Sequence, residues 1–142
     1  MILERIILVD ISGRNSMQKD EYFVSSLSKT WILDLDGTLV KHNGYLIDGH
    51  DTLLDGVTEF FETIDSNDLV VIVTSRNERY MKETKTFLNN NRIRYDYIIW
   101  NAPYGERILI NDKKPSGLMT AIAVNKERDS SLNVTFYTDK NL

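Results

Sequence analysis

Thr30-Trp31-Ile32-Leu33-Asp34-Leu35-Asp36-Gly37-Thr38-Leu39 is a short apolar run that stops at a carboxylate and passes at once into Asp-Gly-Thr. β-Branched and aromatic residues in such a run favour a strand, predicted over Thr30 to Leu33 with Asp34 at its end. In an extended segment residues i and i+2 point the same way, so Asp34 and Asp36 are expected side by side, facing one pocket. Two carboxylates that close repel unless a proton or a cation lies between them, and a hard oxygen-liganded ion such as Mg²⁺ would relieve the conflict. Asp and Gly are also ordinary turn formers, so the plain alternative is a solvated turn.

Outward from this segment, helical and strand-like patterns alternate. Leu53, Leu54, Val57, Phe60, Phe61 and Ile64 fall on a single helical face. Leu69 to Val73 is continuously apolar, as expected of a strand covered on both faces. Ser75 and Glu78 have capping-box spacing before a second helix with an apolar stripe of Tyr80, Met81, Thr84, Phe87 and Leu88, closed by Asn89 to Asn91. Tyr95 to Trp100 and Arg107 to Asn111 read as two more strands joined by the loop 101–106. Leu118 to Val124 fits either a strand or a short helix, and Leu132 to Tyr137 alternates like an edge strand. Ahead of Thr30 lie a strand-like Ile6 to Ile11 and a weaker helical stretch from Gln18 to Leu27. The alternation predicts an α/β fold with a mostly parallel sheet.

Composition narrows the function classes. The chain has 142 residues, enough for one core but cramped for two domains. Seventeen Lys and Arg against 21 Asp and Glu give a formal charge of −4, so no global positive field draws it to nucleic acid or to anionic membrane. Zero Cys excludes disulfides, thiol catalysis and cysteine-ligated metal. The apolar runs fall far below the roughly 18 residues of a membrane span, and Met1 to Asp10 carries charges inside its apolar stretch, unlike a signal peptide. The expected setting is cytoplasmic, with no membrane partner and nucleic acid disfavoured.

In open α/β sheets ligands bind beyond the carboxyl ends of the strands, where this sequence places several polar groups. Thr74-Ser75-Arg76 offers hydroxyls and backbone N–H groups at a helix start, a setting that favours anions. Asn111-Asp112 adds a carboxylate at another strand end, and Lys113-Lys114 adds cations beside it. Singly each has an ordinary explanation: a helix cap, a turn, a solvated surface.

In this order they resemble the haloacid dehalogenase superfamily of aspartate-nucleophile phosphatases, from about Thr30 to Asp112 and over three of its four motifs. The resemblance implies a Rossmann-like three-layer α/β domain over residues 30–142, with residues 1–29 as an N-terminal extension packed on it. It implies Asp34 as the nucleophile forming an aspartyl-phosphate and Asp36 as the general acid/base. Thr74 would hydrogen-bond the phosphoryl group, and Asp34, Asp36 (through its carbonyl) and Asp112 would hold Mg²⁺. Gly37, Thr38, Ser75, Arg76 and Lys113 are the expected phosphate and substrate contacts. With Pro103-Tyr104-Gly105 and Ile108 to Gly117, the pattern looks more closely like a small bacterial subgroup associated with capsular-polysaccharide biosynthesis, which implies a phosphorylated sugar or related small metabolite. The spacing between the first two motifs leaves no room for a sizeable cap domain, so short loops, the extension or a second copy in a homo-oligomer would set specificity.

One position departs from the pattern. Ala102 stands where small family members carry a lysine before the proline of this loop. Losing a preorganised donor of that kind costs about 2.7 to 4 kcal/mol of transition-state stabilisation. Lys114, Lys113 and Arg107 are the nearby candidates to replace it, with Lys114 preferred because Pro115 restrains it, and Lys82 sits inside the helix. Asp10-Ile11-Ser12-Gly13 imitates the Asp34 segment but has Ser12 in the acid/base place. His42 and His50 read as loop histidines, and Trp31 and Trp100 as core. Two other functions stay open: a polynucleotide 3′-phosphatase, and a binding module on a decayed phosphatase scaffold.

Overall fold

The structure is a computed structural model in which residues 20–142 are described. The expected strand at Ile6 to Ile11 and the Asp10 segment lie outside those residues.

Three parallel strands carry the centre of the fold. β2 (Thr30–Asp34), β3 (Leu69–Val73) and β4 (Tyr97–Ile99) lie in that order, with Leu33 opposite Ile72 and Ile72 opposite Ile98. A separate parallel pair joins β1 (Asp20–Val24) to β5 (Val134–Thr138). β1 replaces part of the helix expected over Gln18 to Leu27, because Tyr22 stacks on Phe136 and Phe23 meets Tyr137 at a tilt across the pair, and cross-strand ring contacts outweigh a weak helical stripe. Trp31 then links the two sheets, edge-on to both Phe60 and Phe136. Its indole N–H donates to Asp68 at 2.9 Å, and the same carboxylate accepts the Lys29 amide, so one acid braces the start of β2 against the start of β3.

Short helices fill one side. α1 (Gly44–Ile47) and α2 (Val57–Glu62) follow β2, and α3 (Met81–Asn90) follows β3 after one 3₁₀ turn at Glu78–Tyr80. Val57, Leu88 and Ile93 join Leu35, Leu39, Val40 and Ile72 in one buried cluster, against which Leu33 and Ile98 pack. The fold is therefore α/β with parallel strands, Rossmann-like and without a large cap.

Four expectations change. The helix predicted from Leu53 shortens to Val57–Glu62 because Gly56 turns the chain at φ +84° just before it. β3 is buried on one face only: Val70 and Ile72 are covered, whereas Leu69 is exposed and Val71 and Val73 are half-covered. Ser75 does not cap the second helix; Asn77 does, its side chain accepting from the Arg79 amide at 2.9 Å. From Trp100 to Asn133 the chain forms turns but no strand or helix, so Arg107 to Asn111 is not a strand. Its Ile108 and Ile110 stay exposed, since strand preference is realised only against hydrogen-bonded neighbours and neither outer edge of the three-stranded sheet takes this segment.

The return of the chain toward β5 depends on one glycine. A Cβ on Gly56 would meet the Leu132 carbonyl oxygen at 2.5 Å, where Leu132 N–H donates to Asp55. Gly56→Ala is expected to cost at least about 1–3 kcal/mol through its left-handed backbone alone, read as a lower denaturant midpoint at unchanged slope. An unchanged midpoint would mean that position 56 does not hold the left-handed backbone against Leu132.

Candidate active site

Asp34 ends β2, and its register partner Val73 places Thr74 one residue beyond, at the carboxyl end of the neighbouring strand. The Asp34 carboxylate is 39% exposed. One oxygen, Oδ2, accepts from Thr38 Oγ1 at 2.9 Å, while Arg107 Nη2 stands 3.6 Å from Oδ1. A turn makes the first contact: the amides of Thr38, Leu39 and Val40 all point to the Leu35 carbonyl, which carries Thr38 back over Asp34. Gly37 supplies the φ of +83° that this turn requires.

Asp36 meets a different cation. Arg76 Nε and Nη2 each donate to one Asp36 oxygen at 2.9 Å. On its other side Arg76 donates to Asp51 at 2.8 and 2.6 Å and to Thr84 Oγ1 at 3.0 Å, and the Tyr45 ring covers the guanidinium at 3.9 Å. Arg76 is 3% exposed. Burial lowers its proton affinity, but the hydrogen bonds to Asp51 and then Asp36 outweigh burial and hold it above its ordinary value. Burial, followed by the charge of Asp36, raises the Tyr45 hydroxyl above its ordinary value.

Each of the two carboxylates thus faces its own guanidinium, Arg107 at Asp34 and Arg76 at Asp36. Arg76 changes role accordingly. All of its N–H donors are used inside this network, so it holds the site together and has none left for a phosphate. The Gly37 amide donates to Val40 and the Thr38 amide to Leu35, so neither backbone N–H is free for a substrate oxygen. Thr74 is buried; its amide, carbonyl and hydroxyl bond Ile99, Ala102 and the Arg76 amide, stitching the loops after β3 and β4 together. Ser75 lies beside the Pro103 carbonyl at 3.5 Å.

Asp112, Lys113 and Lys114 are not at Asp34. They sit in an exposed segment where Thr120 Oγ1 donates to the Asp112 carbonyl and Lys114 N–H donates to Leu118. The cation facing Asp34 is Arg107, not the preferred Lys114, whose amide instead closes a turn onto the Leu118 carbonyl.

Mg²⁺ requires a near-octahedral set of hard oxygens. Among the described residues no group of three or more His, Asp and Glu lies close enough to hold an ion, and the expected Asp34, Asp36 and Asp112 are not gathered. As arranged, these donors do not make a Mg²⁺ site.

Two features of the site had no signal in the sequence. Asp51 sits in a polar stretch without periodicity. Lys126 and Asp129 lie far along the chain, yet Lys126 Nζ and the Asp129 amide both donate to the Gly37 carbonyl, and Asp129 accepts from the His42 amide at 2.7 Å. Burial lowers the Lys126 ammonium below its ordinary value, against the pull of Asp129. A cavity of about 420 Å³ lined by Phe61, Ile64, Ser66, Arg92 and Arg94 opens near the amino end of β3, away from Asp34. No helix among the described residues is long and apolar enough to cross a membrane.

No protein-family model and no curated protein sequence matches the chain. Among solved structures, a chain of a Pnkp1/Rnl/Hen1 complex is 27% identical with a TM-score of 0.46, the match covering 60% of this chain and 32% of that one. A chain of the Pnkp1/Rnl/Hen1 RNA repair complex is 26% identical with a TM-score of 0.46, over 66% of this chain and 32% of that one.

Proposed function

We propose that the chain is a phosphomonoester hydrolase of haloacid dehalogenase type, acting on a small phosphorylated metabolite such as a sugar phosphate through an aspartyl-phosphate. The observation that carries this reading is Asp34 itself: a half-exposed carboxylate at the end of a parallel strand, with one oxygen held by Thr38 and the other facing a guanidinium. Phosphoryl transfer asks for such an in-line nucleophile and for positive charge at the equatorial oxygens. Asp34 Oδ1 attacks phosphorus and the bond to the leaving oxygen breaks, with Arg107 neutralising the charge on the transferring group. Asp36 gives its proton to the leaving oxygen and then takes one from the water that hydrolyses the acyl phosphate. The Arg76 fork uses one lone pair on each Asp36 oxygen, and each oxygen keeps a second for this proton.

Arg107→Ala is expected to lower kcat by roughly 10²- to 10³-fold, the loss typical of one transition-state donor, with Arg107→Lys recovering part of it. Because the Arg107 side chain is 38% exposed, its melting temperature should stay near wild type. A kcat within a factor of two of wild type would remove Arg107 from the mechanism.

A second reading, a phosphatase acting on nucleic-acid 3′ ends, draws on the aromatic and basic groups beside Asp36. Tyr45 and Tyr80 meet edge to face at 4.9 Å, and Arg79 lies over Tyr80. Such groups suit base stacking. The test is phosphate release from sugar phosphates, nucleotides, an aryl phosphate and a 3′-phosphorylated oligonucleotide, each with and without Mg²⁺. Turnover led by sugar phosphates supports the first reading and turnover led by the oligonucleotide the second. No release from any ester leaves a binding module.

A further inference from the structure

We propose that Asp51 is a positioning residue for the acid/base chemistry of Asp36, acting through the guanidinium they share; the proposal rests on the phosphatase reading. Arg76 is a buried plate with carboxylates on two edges: Asp36 on Nε and Nη2, Asp51 on Nη1 and Nη2. Thr84 takes the remaining Nη1 proton and Tyr45 covers one face. With all its donors used, the plate has one pose, and Asp51, whose side chain is only 6% exposed, makes the shortest contact in it at 2.6 Å. Among the described residues Arg76 is the hydrogen-bonding partner of the Asp36 carboxylate, so the direction of that carboxyl follows the plate.

Asp51 therefore sets where Asp36 points, through the guanidinium that both carboxylates grip.

The chemical step separates this role from a purely structural one. As the Asp34 Oδ1–phosphorus bond forms and the bond to the leaving oxygen breaks, the Asp36 proton passes to that oxygen. An alkoxide needs the proton, whereas a nitrophenolate leaves without it. kcat/KM ends with formation of the aspartyl-phosphate and so reports this step apart from the later hydrolysis.

The experiment measures kcat/KM for an alkyl phosphate and for 4-nitrophenyl phosphate in wild type, Asp51→Asn, Asp36→Asn and the double variant, with circular dichroism as a check of folding. Asp51→Asn is expected to lose roughly 10- to 100-fold more on the alkyl than on the aryl ester, part of the 10²- to 10⁴-fold that general acid catalysis contributes. That selectivity should vanish in the Asp36→Asn background, because the two residues act in one unit. Equal losses on both esters overturn the proposal, as does a selective loss that survives at full size without Asp36. If Asp51→Asn does not fold, Thr84→Val, which removes a neutral acceptor from the same plate, should show a smaller selective loss, and an equal loss on both esters overturns the proposal again. Wild-type protein that releases phosphate from neither ester overturns the phosphatase reading, and this proposal with it, by a different result.

Discussion

Asp34→Asn should reduce phosphate release by at least ~10⁴-fold while leaving the protein folded, since in the covalent mechanism proposed above removing the nucleophile costs nearly all of the rate. The amide keeps an oxygen that accepts from Thr38, so the 2.9 Å contact and the turn above it survive. It loses the negative charge that attacks phosphorus in the proposed mechanism and that faces Arg107 across 3.6 Å. Because the side chain is 39% exposed, the change in stability should stay within about 1 kcal/mol. The paired measurement is phosphate release together with the melting temperature. Loss of both would indicate that Asp34 is structural, and retention of activity would move the nucleophile elsewhere or point to a contaminant.

Arg76→Ala should have the largest effect on stability. Its side chain is 1% exposed and stands between Asp36 and Asp51, whose side chains are 16% and 6% exposed. Removing one partner of a buried pair leaves the other charge without compensation, at about 3–5 kcal/mol, and here two carboxylates are stranded together. Domains of this size have roughly 5–15 kcal/mol in total, so the variant should melt about 10–15 °C lower or fail to accumulate folded. Arg76→Lys should recover only part of this, because an ammonium cannot form both forks. A melting temperature within about 3 °C of wild type would mean that the network is open to water. The loss should also appear in any activity, since among the described residues it is Arg76 that orients the Asp36 carboxylate.

The two predictions separate what is readable along the chain from what is not. Asp34 was visible because an apolar run ending in Asp-x-Asp-Gly-Thr is a local pattern, and local patterns survive folding. Leu69 to Val73 and Tyr97 to Ile99 lie within the segments read as strands for the same reason. The Arg107 to Asn111 run carries the same β-branched signal and forms no strand, since a strand exists only where a neighbour accepts its hydrogen bonds. Arg76 looked like a phosphate ligand because it follows a strand end. Its burial beneath Tyr45 and its second carboxylate, from 25 residues earlier, carry no local mark.

By itself, then, the sequence determined the α/β alternation, the parallel strands around Asp34 and the placing of a carboxylate at a strand end, all of which follow from hydrophobic period and residue chemistry over a few neighbouring positions. Tertiary structure alone decided which cation each carboxylate meets: Arg107 at Asp34, Arg76 at Asp36, with Asp51 behind it. The reason is physical. A guanidinium pairs with whichever carboxylates the packed loops bring within about 4 Å, and that distance is set by how the chain closes on itself.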